Sequence, residues 1–164
     1  MAGKMAAAIE PRIRIQREDF DAGAEIARLT GGRADTGAVV TFHGLCRDED
    51  GTLSALELEH YPGMAEAEIG RIAAEALARW PLHGLTVVHR YGLIPAGGNI
   101  VLVAAASSHR QAAFEAASFL MDFLKTRAPF WKREHRKDGA PGGWVAAAAA
   151  DDEAEARWRG VAPR

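Results

Sequence analysis

Three features of the sequence predict an α/β (α+β) fold. Short apolar runs suited to strands alternate with longer apolar stripes at helical spacing, and Gly or Pro marks most changes of pattern. At 164 residues the chain fits one domain large enough to bury a core without staples. No composition shift, repeat or linker marks a second domain. The reading is a loose N-terminus over 1–10 and one domain over 11–160.

The elements follow in order. Ile13 and Ile15 alternate with Arg12, Arg14 and Gln16, which suits a short half-buried strand. Asp19 is placed to cap a helix with Phe20, Ala24, Ala27 and Leu29 on one face, and Gly31-Gly32 stops it. GAVVTFHGLCR at 37–47 has the β-branched and aromatic content of a strand ending near Gly44. After a turn at 48–51, LSALELEHY puts Leu56, Leu58 and His60 on one face of a second strand. Pro62-Gly63 breaks it and opens a helix near Met64. Ala65, Ile69, Ile72, Ala73, Ala76, Leu77 and Trp80 form that helix's stripe, and Pro81 ends it. LTVVHRYG at 85–92 reads as a strand, and PAGGN at 95–99 as a hairpin-like connection. The nearly continuous apolar run IVLVAAA at 100–106 reads as a fully buried strand. A helix follows with Phe114, Ala117, Met121 and Leu124 toward the core. Pro129 forbids its continuation, so PFWKRE is extended; a loop, a last strand at GWVAAAA and a short helix at DDEAEARW complete the chain.

Composition narrows the function. With a net charge of −2 and 48% apolar residues, a nucleic-acid coat is disfavoured. Residues 107–137 nevertheless carry seven Lys/Arg against three Asp/Glu, a balance of +4, so the rest of the chain sums to −6. A local site for an anionic ligand has that signature. The single Cys46 cannot form an intrachain disulfide, which points to a reducing cytoplasm. No stretch has the length of a membrane span. Six histidines in no ligand spacing and one cysteine argue against a metal site, and neither GxGxxG nor a Walker loop is present.

The lysines are unevenly placed. Of four, against sixteen Arg, three (Lys125, Lys132 and Lys137) fall within thirteen residues. A lysine amine can lose its proton and act as nucleophile or base, whereas arginine stays charged. Arg110, Arg127 and Arg133 are expected to depress a neighbouring lysine pKa by like-charge repulsion. Spacing alone favours the plainer reading, in which Lys125 complements a helix C-terminus. Ser107-Ser108-His109-Arg110 lies where a buried strand meets a helix, so His109 and Arg110 either hold a phosphate or carboxylate, or face solvent while Ser108 caps the helix. Arg47 either points into the same pocket or decorates its turn. Cys46 reads better as a small buried hydrophobe than as a nucleophile.

Several of these segments together resemble one family. GAVVTFHGLCR, LELEHYPGM, RWPL, VVHRYG, SSHRQAAFEA and above all MDFLKTRAPFWKRE are similar to the large, catalytic subunits of molybdopterin synthase, from about Ile13 to Trp158. The resemblance implies an α/β-hammerhead type domain with an additional small antiparallel sheet, and a homodimer. It also implies a heterotetramer with two small, ubiquitin-like sulfur-carrier subunits. Each carrier would thread a C-terminal Gly-Gly thiocarboxylate into a pocket. Two sulfurs would pass to cyclic pyranopterin monophosphate, forming a dithiolene, with no cofactor, metal, nucleic acid or membrane involved. It implies Lys125 and Lys132 as the catalytic residues. Substrate contacts would come from Leu45, Cys46, Arg47, His109, Arg110, Lys125, Lys132, Arg133 and Glu134. His43 and Cys46 depart from the Thr and Val usual at their positions. A binding module for a phosphorylated ligand or RNA, with Phe130 and Trp131 as stacking platforms, is the alternative.

Overall fold

The computed structural model describes residues 8–145 and 149–159. Two four-stranded sheets organise it. The first contains β1 (Arg12–Gln16), β4 (Leu82–Arg90), β6 (Asn99–Ser107) and β2 (Ala38–Leu45), in that spatial order. Only the β1–β4 pair is parallel. The second sheet is antiparallel throughout and runs β5 (Gly92–Pro95), β3 (Leu53–His60), β7 (Phe130–Arg136) and β8 (Pro141–Val145).

Strand alternation gives the first sheet two apolar faces. Val101, Val103 and Ala105 of β6 meet α2 (Met64–Arg79) and α3 (Arg110–Thr126) in the main core. Leu102 and Val88 point the other way, against Phe20 and Ala22 at the start of α1 (Ala22–Thr30). Burial on both faces is why IVLVAAA carries no polar residue. The last helix, α4 (Ala149–Ala156), packs on α3, and Trp158 just beyond it closes an aromatic triangle. Its ring lies 5.7 Å from Trp80 and 5.6 Å from Phe119.

Several details differ from the sequence reading. Asp21, not Asp19, caps α1, its carboxylate accepting the Ala24 N–H at 3.0 Å. Asp19 instead accepts from Phe20 N–H and the Asn99 side chain, both at 2.8 Å. The buried residue of α1 is Glu25, 2% exposed, while Ala24 and Ala27 are exposed. Arg12, Arg14 and Arg28 all bond its carboxylate, so ion pairing outweighs helical hydrophobicity there. On α3, Ala117 and Leu124 are buried and Met121 packs on the core as expected, but Phe114 is 59% exposed, and Phe119, Leu120 and Phe123 are buried in its place beside the alanines. PAGGN is no hairpin, because β5 and β6 belong to different sheets. Gly97, at φ +84°, lets the chain cross between them. Of the last predicted strand, 143–149, residues 143–145 lie in β8, 146–148 lie outside the described residues, and Ala149 opens α4 instead.

Candidate functional site

A cavity of about 650 Å³ opens where the two sheets meet, a volume in the usual range for small-ligand sites. β7 supplies one wall. Its period-two alternation turns Phe130, Lys132, Glu134 and Arg136 into the cavity. The last two turns of α3 add Met121, Leu124 and Lys125, and β2 with its following turn adds Phe42 through Arg47. Lys125 and Lys132 thus reach one space from a helix end and from a strand.

The turn after β2 is held by the backbone crossing between sheets. Cys46 N–H donates to the Gly98 carbonyl at 2.8 Å, and the Cys46 carbonyl accepts from Gly97 N–H at 2.6 Å. Cys46 is 2% exposed, and burial pushes its thiol pKa up, as expected of a small hydrophobe rather than a nucleophile. His43 bonds the Asn99 side chain at 2.8 Å and packs on Phe20. The lining holds four Lys/Arg and three Asp/Glu, a balance of one positive charge. Arg47 is bonded to Glu49, and Arg136 lies 3.7 Å from Glu134.

Of the residues singled out in the sequence, one chain brings together Leu45, Cys46, Arg47, Lys125, Lys132 and Glu134. It leaves out three. Arg133 alternates to the far face of β7 and lies over the Trp144 ring at 4.4 Å. His109 and Arg110 stand at the other end of α3; fifteen residues at about 1.5 Å each separate Arg110 from Lys125 by roughly 22 Å. Ser108 does not cap the helix. Its hydroxyl bonds His83 Nε2 at 3.0 Å, while Thr36 bonds Nδ1 at 2.9 Å. Gly37 allows this end to close, since a Cβ there would sit 2.1 Å from the Ser108 carbonyl oxygen.

Of the arginines expected beside the lysines, Arg127 is bonded to Glu155 on α4 at 2.7 Å, and neither Arg110 nor Arg133 lines the cavity. Lys137 closes the 48–51 turn through Asp48 at 3.1 Å and the Gly51 carbonyl at 2.7 Å. Phe130 is no open stacking platform, because the His89 ring lies on it with centroids 3.8 Å apart. His89 is itself a lining residue that the sequence reading did not single out. Its only sequence signal was a histidine inside an otherwise apolar central strand. Among the described residues, no three His, Cys, Asp or Glu side chains converge as a metal site, and no helix is long and apolar enough to cross a membrane.

The architecture is that of a mixed α/β protein with a two-lysine cavity at the junction of its sheets. The sequence pattern described as MoaE protein matches residues 15–127. The molybdopterin synthase catalytic subunit of Mesorhizobium japonicum is 72% identical over 155 residues, covering 94% of this chain and 98% of that one. Among solved structures, the molybdopterin biosynthesis MoaE protein from Burkholderia ambifaria superposes with a TM-score of 0.77 at 47% identity, covering 90% and 97% of the two chains. Molybdopterin synthase from Staphylococcus aureus superposes with a TM-score of 0.71 at 32% identity, covering 81% and 96%. The chain belongs to the MoaE family of molybdopterin synthase catalytic subunits. It is therefore an enzyme subunit of molybdenum cofactor biosynthesis, and the reading as a non-catalytic binding module finds no support.

Proposed function

We propose that the cavity is a sulfur-transfer site. The observation that carries this reading is the meeting of Lys125 and Lys132 with the Leu45–Arg47 turn in one space of about 650 Å³. The donor is the C-terminal thiocarboxylate of a small ubiquitin-like carrier subunit, threaded in as an extended Gly-Gly tail. The acceptor is cyclic pyranopterin monophosphate, which receives two sulfurs as its cyclic phosphate opens. Both ligands are anionic, which suits a cavity of net positive charge. Lys125 acts at the thiocarboxylate carbon, stabilising the charge that develops as sulfur leaves. Lys132 serves the phosphate and the proton transfers on the pterin side. Arg47 and Glu134 line the same cavity.

His109 and Arg110 lie roughly 22 Å along α3 from Lys125, so a shared anion site requires them from a second copy of the chain. This favours a homodimer of large subunits carrying two small ones. The buried, unpaired Cys46 suits a reducing cytoplasm.

The test is product formation with thiocarboxylated carrier and pterin substrate. Lys125→Ala and Lys132→Ala are each expected to abolish most of it. Near-normal turnover by both variants would remove the sulfur-transfer assignment. Size exclusion with the Gly-Gly-terminated carrier is expected to give a stable complex.

A further inference from the structure

His89, on the central strand β4, is only 9% exposed, yet it lines the cavity. Its Nδ1 lies 2.8 Å from the Arg90 carbonyl oxygen. A carbonyl only accepts, so Nδ1 carries the hydrogen and Nε2 keeps the lone pair. The ring plane is fixed as well, by Phe130 at 3.8 Å between centroids and 13° from parallel. Tautomer and orientation are both built into the fold.

Burial is the main force keeping this imidazole neutral, lowering its pKa to about 4. The charges of Lys132 and Lys125 and the nearby His60 act in the same direction, against the Arg90 carbonyl. At neutral pH a ring held so far below the ordinary imidazole value stays neutral, which makes it a poor base toward an ammonium group. What it offers is a neutral acceptor.

The surrounding wall is short of such groups. Arg47, Lys125, Lys132 and Arg136 can only donate. The carboxylates have partners of their own: Glu49 bonds Arg47, Asp50 accepts from Thr52, and Glu134 faces Arg136 at 3.7 Å. A ligand drawn in through its anionic groups must also satisfy any N–H donors it desolvates.

We propose that His89 is a substrate-contacting residue whose Nε2 accepts a hydrogen bond from an N–H group of the ligand bound beside Lys125 and Lys132. The cavity then selects ligands that present an anion together with a nearby N–H donor. This inference rests on the sulfur-transfer reading. Two ligands of that reading carry such donors: the amides of the carrier's Gly-Gly tail and the ring nitrogens of the pterin.

Imidazole ¹⁵N spectra of the histidine-labelled protein test the contact directly. The His89 resonances are expected to report a protonated Nδ1 and a bare Nε2 at neutral pH. The Nε2 signal should move on adding either the carrier in its carboxylate form or the pterin, and the ligand that moves it identifies the donor. A protonated Nε2, or an unmoved signal with both ligands saturating, overturns the proposal. His89→Phe keeps the stack on Phe130 but removes the acceptor, and should lower kcat/KM for the contacting ligand roughly ten- to a hundredfold. His89→Gln, which restores an acceptor oxygen, should recover part of that loss. Wild-type kcat/KM in His89→Phe overturns the contact. If Lys125→Ala is still inactive in that case, the sulfur-transfer reading itself survives.

Discussion

Glu155 on α4 grips Arg127, the residue that closes α3, with Nη2 at 2.7 Å and Nε at 3.0 Å from its carboxylate. The same carboxylate accepts from Thr126 and from Arg159, while only 2% exposed. Lys125 is the residue just before this knot, so the C-terminal helix fixes the turn that carries one of the two cavity lysines.

That arrangement predicts an acid-sensitive contribution to stability. Burial alone raises the Glu155 carboxyl, but the bonds from Arg127, Thr126 and Arg159 outweigh it and lower the pKa from 4.5 to about 2. A depressed carboxyl stabilises the fold fully above its unfolded value and loses that effect as pH falls toward its folded value. Glu155→Ala should therefore lower urea stability by about 2–3 kcal/mol at pH 7, part of it from leaving Arg127 unpaired. The gap to wild type should narrow between pH 4.5 and about 2. A gap that stays constant down to pH 2 would contradict this origin.

Lys125→Arg and Lys132→Arg separate charge from chemistry. Each keeps the positive charge but replaces a compact amine with a planar group that does not lose its proton. Binding of the carrier should stay within about threefold, since attraction between charges survives the exchange. Product formation should fall by about a hundredfold or more, the scale on which loss of one transition-state donor is felt. Single-turnover assays together with carrier titration read the two effects separately. Activity near wild type in both variants would mean that charge alone suffices.

Most strands and helices were legible because their patterns are local. The alternation in PFWKRE even distinguishes the cavity face of β7 from the face that holds Arg133. What escaped depends on distant partners. Phe114 has the spacing of a core residue, yet small Ala112, Ala113, Ala116 and Ala117 form the face that packs against the sheet. Glu25 is buried because Arg12 and Arg14, on the neighbouring strand β1, neutralise it. Lys125 and Lys132 were found through their uneven occurrence and their family motif. His89 was passed over because a histidine in an apolar strand looks like core until the second sheet brings Phe130 onto it. Local charge density carries no distance, since within one chain the helix sets Arg110 roughly 22 Å from Lys125.

Cys46 should prove a slow thiol. Its side chain is 2% exposed, and burial raises its pKa above 9.0, with Asp48 adding to the shift against the Leu56 backbone bond. Little thiolate forms at pH 8, and a reagent must also enter through the cavity. Reaction with a chromogenic disulfide reagent should be about a hundredfold or more slower in the native protein than in urea. Bound carrier should slow it further. Rapid native labelling would show that the turn held by Gly97 and Gly98 opens readily.

Lys132 and Arg133 are neighbours in sequence but stand on opposite faces of β7, and their substitutions should part accordingly. Lys132 lines the cavity, whereas Arg133 lies over Trp144 at 4.4 Å. Lys132→Ala should cut product formation by about a hundredfold or more with little change in stability. Arg133→Ala should leave turnover within about threefold and lower stability by about 0.5–1 kcal/mol, the scale of an exposed cation–π contact. Urea denaturation and product assays on the two variants decide the matter. A large loss of activity in Arg133→Ala with stability unchanged would mean that Arg133 meets a ligand from the outer face of the sheet. Trp144→Ala provides the control, since it should reproduce the stability loss of Arg133→Ala if the contact with the ring is the only role of that side chain.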